Sequence, residues 1–319
     1  MPKKKNRKKR IATIDIGSNS TVLLIAKLLP DGTIELENEY YAPTRLGRDM
    51  REGNLLSEGS VEHAVAVVKE LKETAESQGV ESFFATASSA VRSALNKQCF
   101  LVKCYKDTGL FPQVLSGAEE AKFAFDGATF NVETTKPIVT IDIGGGSTEV
   151  AWGLKDKMAG CKSLDIGFIR LNENFSLGTD YVIHKRMAAA RKVRKSFAPV
   201  VKPLTEWLDG QKSMVLTGGG MVVAYGAVII GKADVDRSEI DMMKSKRKQL
   251  AALSKKLSKL DLKKRKRIPG MTIDRAEEIP AGLMILNEFL SLMQIKRFHI
   301  TTKGLRVGVL RHYAASFEQ

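Results

Sequence analysis

A chain of 319 residues, 43% of them hydrophobic, is long for one domain and comfortable for two, and its formal charge is +15. No apolar run approaches the ~20 residues a spanning helix needs, and the segment from Ile11 is interrupted by Asp15, Asn19 and Lys27, which excludes a signal peptide after the basic start. Three cysteines (Cys99, Cys104, Cys161) without metal-ligand spacing and four scattered histidines exclude a zinc site, and fit reduced thiols in a cytoplasmic protein away from any membrane.

In chain order, residues 1–10 carry seven Lys/Arg and no acid, a composition predicted to form a flexible basic arm. Ile11–Ile16 and Val22–Leu28 read as strands, Pro30-Asp-Gly32 as a hairpin turn and Ile34–Tyr41 as a third strand. Ser57 precedes a periodic helix through Ser77, closed near Gly79. Val80–Ala87 is a strand, Asn96–Thr108 a helix, Gln113–Leu115 a short strand and Glu119–Ala128 a helix. Lys136-Pro137 marks the step into a second half. There Ile138–Ile143, Glu149–Gly153 and Met214–Leu216 are strands, Met187–Leu208 is a helix broken near Pro199 and Pro203, Pro280–Met293 is a helix and Arg297–Ile300 a last strand. Alternating strands and helices in both halves predict an α/β fold.

One phrase occurs twice. Thr13-Ile-Asp-Ile-Gly-Ser-Asn-Ser-Thr21 returns 127 positions later as Thr140-Ile-Asp-Ile-Gly-Gly-Gly-Ser-Thr148, identical at seven of nine positions. Each is a buried strand breaking into a turn built of small residues and hydroxyls. Gly17, Gly144, Gly145 and Gly146 let backbone N–H groups approach phosphate oxygens, and Ser18, Asn19, Ser20, Ser147 and Thr148 add polar side chains. Asp15 and Asp142 would repel a phosphate unless a divalent cation or a reacting water lies between, and Mg²⁺ (or Mn²⁺) suits one or two carboxylates plus substrate oxygens. Two copies imply two related half-domains, each offering a phosphate loop and a carboxylate to one central cleft.

The excess charge sits in two segments. Residues 244–267 hold twelve Lys/Arg against Asp261, and outside this segment and the arm the remaining 285 residues carry a net −3. Leu250, Leu253, Leu257 and Leu260 form one apolar helical stripe, and Lys263, Lys264, Arg265, Lys266 and Arg267 follow it. Such a pattern is commonly a solvated helix face. Its sharper reading is a polyanion-binding surface acting through counterion release. The segment has no aromatic residue for stacking, which argues against nucleic acid.

With these phrases in hand, the chain resembles the exopolyphosphatase and guanosine pentaphosphate phosphohydrolase (Ppx/GppA) family, in a short two-domain form. The resemblance runs from about Ile11 to Leu310. It is carried by both Asp-Ile-Gly loops, Arg45-Leu-Gly47 with Leu56-Ser57, Ala87-Ser-Ser-Ala-Val-Arg-Ser-Ala-Leu-Asn96, Thr108-Gly109, Ser116-Gly-Ala-Glu-Glu-Ala121, Asp165-Ile-Gly-Phe-Ile-Arg-Leu171, Asp274-Arg-Ala-Glu-Glu-Ile-Pro-Ala-Gly282 and Gly304-Leu-Arg-Val-Gly308. It implies two actin-like (ribonuclease H-like) domains of the sugar kinase, heat-shock chaperone and actin superfold. These are expected at 11–127 and 128–300, with 301–319 packing back on the first.

The resemblance also implies the site. Glu119 is expected as general base, with its neighbour Glu120 the weaker choice. Asp142 and Glu149 hold the metal or orient the water, with Asp15 as a further metal ligand. Arg92 grips phosphate, and Ser147 donates to the transferring phosphoryl group. Three departures stand out. Thr217-Gly-Gly-Gly220 replaces a Val-Gly-Gly-Thr type phrase, Thr302-Lys303 stands where an Asp is common, and the helical C-terminal domain of longer members is not in this sequence, so the basic helix 244–267 is expected to stand in as a polymer-binding surface. The expected activity is Mg²⁺-dependent release of terminal phosphate from inorganic polyphosphate, with K⁺ as an accessory ion and a homodimer allowed. The rivals are hydrolysis of guanosine pentaphosphate, a non-catalytic polyphosphate- or nucleotide-binding regulator, and a kinase of the same superfold, disfavoured by the phrases around Glu119.

Overall fold

The computed structural model describes residues 9–48, 50, 54–155, 157–179 and 181–315. In chain order the first elements are β1 (Lys9–Ile16), β2 (Ser20–Leu28), β3 (Ile34–Pro43), α1 (Glu58–Ser77), β4 (Ser82–Ala87), α2 (Ser89–Ser93), α3 (Lys97–Thr108) and β5 (Gln113–Val114). Next come α4 (Gly117–Ala128), β6 (Ile138–Ile143), β7 (Thr148–Leu154), β8 (Lys157–Leu164), α5 (Phe168–Phe175), α6 (Ile183–Ser196) and α7 (Ala198–Leu208). The chain continues through β9 (Met214–Gly218), α8 (Gly220–Ile230), α9 (Arg237–Ile240), β10 (Lys244–Lys246), α10 (Arg247–Lys259) and α11 (Leu262–Arg265). It closes with α12 (Ile279–Leu292), β11 (Arg297–Ile300) and α13 (Leu305–Ala314).

The chain forms two compact units. One holds the residues up to Ser116 together with those from Leu305; the other is Gly117–Gly304. The division falls before α4 rather than after it. The apolar face of α4 explains this: Phe125 and Ala128 pack with Val132, Ile138, Ala151 and Leu216 of the second unit. The expected single helix at 187–208 is two, because the chain turns at Phe197 and Pro199 starts a new helix, where its missing N–H costs nothing. Lys9 and Arg10 belong to β1 instead of a flexible arm: Arg10 bonds Glu37 at 2.9 Å and the Gln78 carbonyl at 2.6 Å. The rest of the predicted arm lies outside the described residues.

Each unit is built on one mixed sheet. In the first the order is β3-β2-β1-β4-β5, with β1, β2 and β3 antiparallel and β1, β4 and β5 parallel. In the second it is β10-β11-β9-β6-β7-β8, with β6, β7 and β8 antiparallel, β6, β9 and β11 parallel, and β10 an antiparallel edge. The arrangement β3-β2-β1-β4-β5 therefore recurs as β8-β7-β6-β9-β11. The class is α/β, with two actin-like, ribonuclease H-like halves. The sequence repeat is a structural repeat with the same register: Asp15 faces Val22 in the first hairpin, and Asp142 faces Glu149 in the second.

Burial fixes these hairpins. Ile11, Ala12, Ile14, Leu23 and Ile25 are sealed in the first core, and Val139, Ile141, Ile143 and Val150 in the second. A one-residue slip would turn each strand inside out, so the register that sets the loops is enforced by the cores. Among the described residues no helix is long and apolar enough to cross a membrane, and the three cysteines are unpaired with one another.

Candidate active site

Both repeated phrases turn in the same way. The Gly17 N–H donates to the Ser20 carbonyl at 3.0 Å, and the Gly144 N–H to the Ser147 carbonyl at 2.9 Å. In each loop the following carbonyls are taken up by a segment further along. Thr44 and Arg45 donate to the Asn19 carbonyl and Gly47 to that of Ser18; Phe168 donates to the Gly144 carbonyl and Ile169 to that of Gly145. The latter two are first-turn donors of α5, which otherwise lack helical partners. With the carbonyls drawn away, no backbone acceptor among the described residues meets the N–H of Ser18 or Asn19 in one loop, or of Gly145 or Gly146 in the other. Such amides suit phosphate oxygens. The braces require glycine: a Cβ on Gly47 would lie 2.9 Å from the Ser18 Cβ, and one on Gly167 2.3 Å from the Gly145 carbonyl oxygen.

The second unit gathers carboxylates at its loop. Glu149 is buried at 4% exposure, and its Oε1 accepts a 2.8 Å hydrogen bond from Ser163 Oγ on β8. Burial pushes its carboxyl well above the ordinary range. The charges of Glu120 and Asp142 push it further, and hydrogen bonds from Ser163 and Ser147 pull back only part of the way. Glu120, Asp142 and Glu149 thus form one crowded anionic cluster, with Ser147 and Ser163 as its hydroxyl donors.

Asp142 stands in a cradle of glycines. A Cβ on Gly219 would lie 2.9 Å from Asp142 Oδ1, and a Cβ on Gly304 or Gly218 would lie 2.9 or 3.3 Å from Oδ2. Gly219 also has φ 94° and ψ 156°, a region open essentially only to glycine, and it abuts the Ile143 carbonyl. This accounts for the first sequence departure, since Thr217-Gly-Gly-Gly220 walls the carboxylate without side chains. At its end the Arg275 guanidinium lies against Gly220 in the first turn of α8. The second departure is neutralised locally: Lys303 pairs with Asp241 at 2.9 Å.

The two glutamates of the adjacent pair differ in burial. Glu120, the weaker choice on sequence, is the buried member of its pair, whereas Glu119 is half-buried. The reason is helical phase. Glu119 shares its face with Lys122 and Asp126, which pair at 2.7 Å, and Glu120 shares its face with Phe123, Ala124 and Gly127, all buried. That periodicity was legible in the sequence. The Thr148 hydroxyl donates to the Ile166 carbonyl at 2.5 Å in full burial, so it braces the loop. One N–H of Arg92 donates to the Leu115 carbonyl at 3.0 Å, fixing that side chain to the end of β5. Asp15 accepts from Thr86 at 3.5 Å, the corresponding place in the first unit.

Among the described residues no three His, Cys, Asp or Glu side chains converge as a metal-binding group. Asp142 and Glu149 alone fit a cation that keeps most of its waters. They are crowded carboxyls, that of Glu149 raised above the ordinary range by burial and by its acidic neighbours, and the cradle beside Asp142 has no side chain to fill it.

The basic run also divides. Lys263, Lys264, Lys266 and Arg267 are exposed, but Arg265 is 1% exposed and spends its guanidinium on the carbonyls of Gly178, Ala276 (2.6 Å) and Leu260 (3.1 Å). It ties α11 to the loop before α6 and is not part of an exposed cationic face. The apolar stripe turns inward as expected, with Leu250 and Leu257 fully buried. Sequence reasoning gave no role to Ser163 or Arg275: Ser163 stands in no singled-out phrase and is revealed by strand pairing, whereas Arg275 stands in the Asp274–Gly282 phrase and packing places it.

A model of the Ppx/GppA phosphatase family matches residues 31–317. A guanosine-5'-triphosphate,3'-diphosphate pyrophosphatase of Vibrio parahaemolyticus is 25% identical over 94% of this chain and 58% of its own length. A bifunctional 3-dehydroquinate synthase/phosphatase of Fusobacterium nucleatum is 28% identical over 88% of this chain and 43% of its own. The chain thus spans about half the length of these curated relatives. Among solved structures, the Aquifex aeolicus PPX-GPPA enzyme superposes with a TM-score of 0.80 at 27% identity, covering 96% of this chain and all of that one. An exopolyphosphatase from Cytophaga hutchinsonii superposes with a TM-score of 0.88 at 23% identity, over 97% and 98% of the two chains, a likeness of fold.

Proposed function

The chain belongs to the Ppx/GppA phosphatase family, and from that premise we propose that it is a phosphoanhydride hydrolase that removes terminal phosphate from inorganic polyphosphate. The observation that carries this reading is the cluster of Glu120, Asp142 and Glu149 beside a loop whose amides are left for phosphate oxygens. Hydrolysis of a terminal phosphoanhydride needs an in-line water, a base for it and donors for the equatorial oxygens.

Glu120 is the base in this proposal. It is buried within the cluster, and the first turn of α4 holds its backbone. The Gly145 and Gly146 amides and the Ser147 hydroxyl hold the terminal phosphoryl group. Arg275, against the first turn of α8, offsets substrate charge. Mg²⁺, which Asp142 and Glu149 would hold, would supply charge neutralisation at the phosphoryl oxygens when bound. Burial and acidic neighbours raise the Glu149 carboxyl, so a cation bound there would favour its deprotonated form. The exposed Lys263, Lys264, Lys266 and Arg267 draw the polymer to the second unit, and the free thiols fit a cytoplasmic enzyme.

A second reading, release of the 5′ γ-phosphate from guanosine pentaphosphate, is favoured by the name of the Vibrio relative. Orthophosphate release from long-chain polyphosphate, guanosine pentaphosphate and ATP, compared at equal phosphate-end concentration with Mg²⁺, separates the readings. Highest kcat/KM on polyphosphate is expected. Highest kcat/KM on guanosine pentaphosphate selects the second reading, preference for ATP contradicts both, and no release from any of them leaves a binding protein.

A further inference from the structure

Asp241 caps the end of α9 and holds the segment that leaves β11. Its Oδ1 accepts the Thr302 N–H at 3.0 Å, and its Oδ2 pairs with Lys303 Nζ at 2.9 Å. The turn that carries Asp241 is docked on β11 by two backbone bonds. The Met242 N–H donates to the Ile300 carbonyl at 2.7 Å, and the Ile300 N–H to the Met243 carbonyl at 2.9 Å. Met242 adopts a φ of 61° there, a left-handed conformation uncommon for a residue with a bulky side chain. Such a conformation persists only where its surroundings hold it. The segment after β11 is tied on its other side as well. The Thr301 N–H donates to the Thr217 carbonyl at 2.9 Å, and the Thr301 hydroxyl donates to the Lys303 carbonyl at 3.0 Å.

The residue after Lys303 is Gly304, which walls the Asp142 carboxylate so closely that a Cβ would lie 2.9 Å from its Oδ2. Consecutive Cα atoms are about 3.8 Å apart, so Lys303 leaves the backbone beside that carboxylate. Its flexible four-carbon stem brings Asp142 within range of the ammonium. An ammonium paired with Asp142 would compete directly with a divalent cation for the same anionic oxygens. In the structure the ammonium is turned to Asp241 instead. The Lys303 side chain is 27% exposed and that of Asp241 14%, so the pair is only partly screened by water.

We propose that Asp241 is a positioning residue of the hydrolytic site: it sequesters the Lys303 ammonium and so leaves the Asp142 carboxylate to the divalent cation. The inference rests on the reading of Asp142 as a cation ligand. It differs from a merely structural role, in which Asp241 would act only by anchoring the 301–304 segment. If the charge of Lys303 is what Asp241 controls, then removing Lys303 makes the Asp241 charge dispensable. If anchoring is the whole role, removing Lys303 repairs nothing.

The experiment measures Mn²⁺ binding to the full chain by calorimetry, with no substrate present, and so stands apart from turnover. Asp241→Asn keeps an oxygen for the Thr302 N–H and removes the charge that holds Lys303. It is expected to weaken Mn²⁺ binding roughly ten- to hundredfold, the usual cost of losing a group that supports a metal ligand. In the double variant Asp241→Asn with Lys303→Met the affinity should return to near the wild-type value, because no ammonium is left to compete. The Mg²⁺ titration of phosphate release should follow the same pattern, with kcat at saturating Mg²⁺ close to wild type throughout. A double variant that binds Mn²⁺ as weakly as Asp241→Asn overturns the proposal and makes Asp241 a loop anchor. Should Asp241→Asn fail to fold, judged by thermal melting, Lys303→Met is compared with the double variant. Equal Mn²⁺ affinities are then expected, and weaker binding by the double variant contradicts the proposal. Wild-type protein that binds no Mn²⁺ sinks the reading of Asp142 as a cation ligand, and this proposal with it. Wild-type protein that binds Mn²⁺ no better than Asp241→Asn sinks the proposal alone and leaves that reading standing.

Discussion

Across β4, β1, β2 and β3 the residues in register are Thr86, Asp15, Val22 and Tyr41; across β9, β6, β7 and β8 they are Gly218, Asp142, Glu149 and Ser163. The backbones of these two rows are the same, down to the Gly-to-Ser hydrogen bond that closes each loop. Only the first Asp is common to both. In the first unit its cross-strand neighbour is an apolar Val22, 6% exposed, and in the second it is a buried Glu149 held by a serine. Where the first row has Thr86, the second has a glycine that leaves Asp142 room. A duplicated loop has thus been kept as a backbone device in both places, while a second carboxylate stands beside the shared Asp in one only. Burying such charge destabilises, so it is expected in one copy only.

Asymmetry of this kind can be broken by exchanging the shared residue. Asp142→Asn should lower Mg²⁺-dependent phosphate release by about 10²-fold or more and move its Mg²⁺ titration to higher concentration, because a hard anionic oxygen is lost from the crowded row. Asp15→Asn should cost roughly tenfold, because its cross-strand neighbour is the apolar Val22 and not a second carboxylate. Equal losses with equal Mg²⁺ shifts would mean that the two copies serve the cation alike.

The glycine side of the row makes a stability prediction. Gly219→Ala must place a Cβ 2.4 Å from the Ile143 carbonyl oxygen, at a φ of 94°. The expected destabilisation is about 1–3 kcal/mol, read from the denaturant midpoint at unchanged m-value. The register places Ala87 in the first unit one residue beyond Thr86, as Gly219 stands one beyond Gly218, and there a Cβ is already accommodated in burial. A Gly219→Ala protein as stable as wild type would remove the steric basis of the Asp142 cradle.

Much of this was readable beforehand, for reasons that differ by residue. The repeated phrase gave both hairpins and both loops, because a buried β-branched run ending in Asp-x-Gly leaves the chain few alternatives. The Leu250–Leu260 stripe gave α10. Strand β8 was not called as an element, since Lys157–Leu164 alternates small and polar residues on a half-exposed surface, and with it Ser163 was lost. Arg265 looked like one more cation in a run of five, because composition does not tell which side chain a four-residue helix turns inward. The Glu119 and Glu120 pair was ranked by resemblance when the spacing of Phe123, Ala124 and Gly127 already placed Glu120 on the inner face.

A smaller effect sharpens the contrast between Val22 and Glu149. The carboxyl of Glu149 is raised, chiefly by burial, so the folded state keeps a proton that the unfolded chain releases. Its contribution is fully present below the ordinary carboxylate pKa of about 4.3 and is lost as pH climbs toward the raised value. Without Mg²⁺, Glu149→Gln should therefore match wild type near pH 4 and be the more stable protein at pH 7, by about 1.4 kcal/mol for each pH unit of the shift. Urea unfolding of both proteins across that range is the check. Parallel curves would mean that Glu149 titrates as in the unfolded chain. Any stability gained should come with lost turnover, since the carboxylate is then unable to hold the cation.

The claim that the second unit's carboxylate row performs the hydrolysis is tested most directly by single-turnover phosphate release from long-chain polyphosphate in Glu120→Gln and Glu119→Gln, with thermal melting to confirm that both fold. The account predicts a fall of about 10²–10⁴-fold for Glu120→Gln, the usual contribution of a general base, and a change of no more than a few-fold for Glu119→Gln. A Glu120→Gln protein that turns over at the wild-type rate while Glu119→Gln is inactive would contradict it.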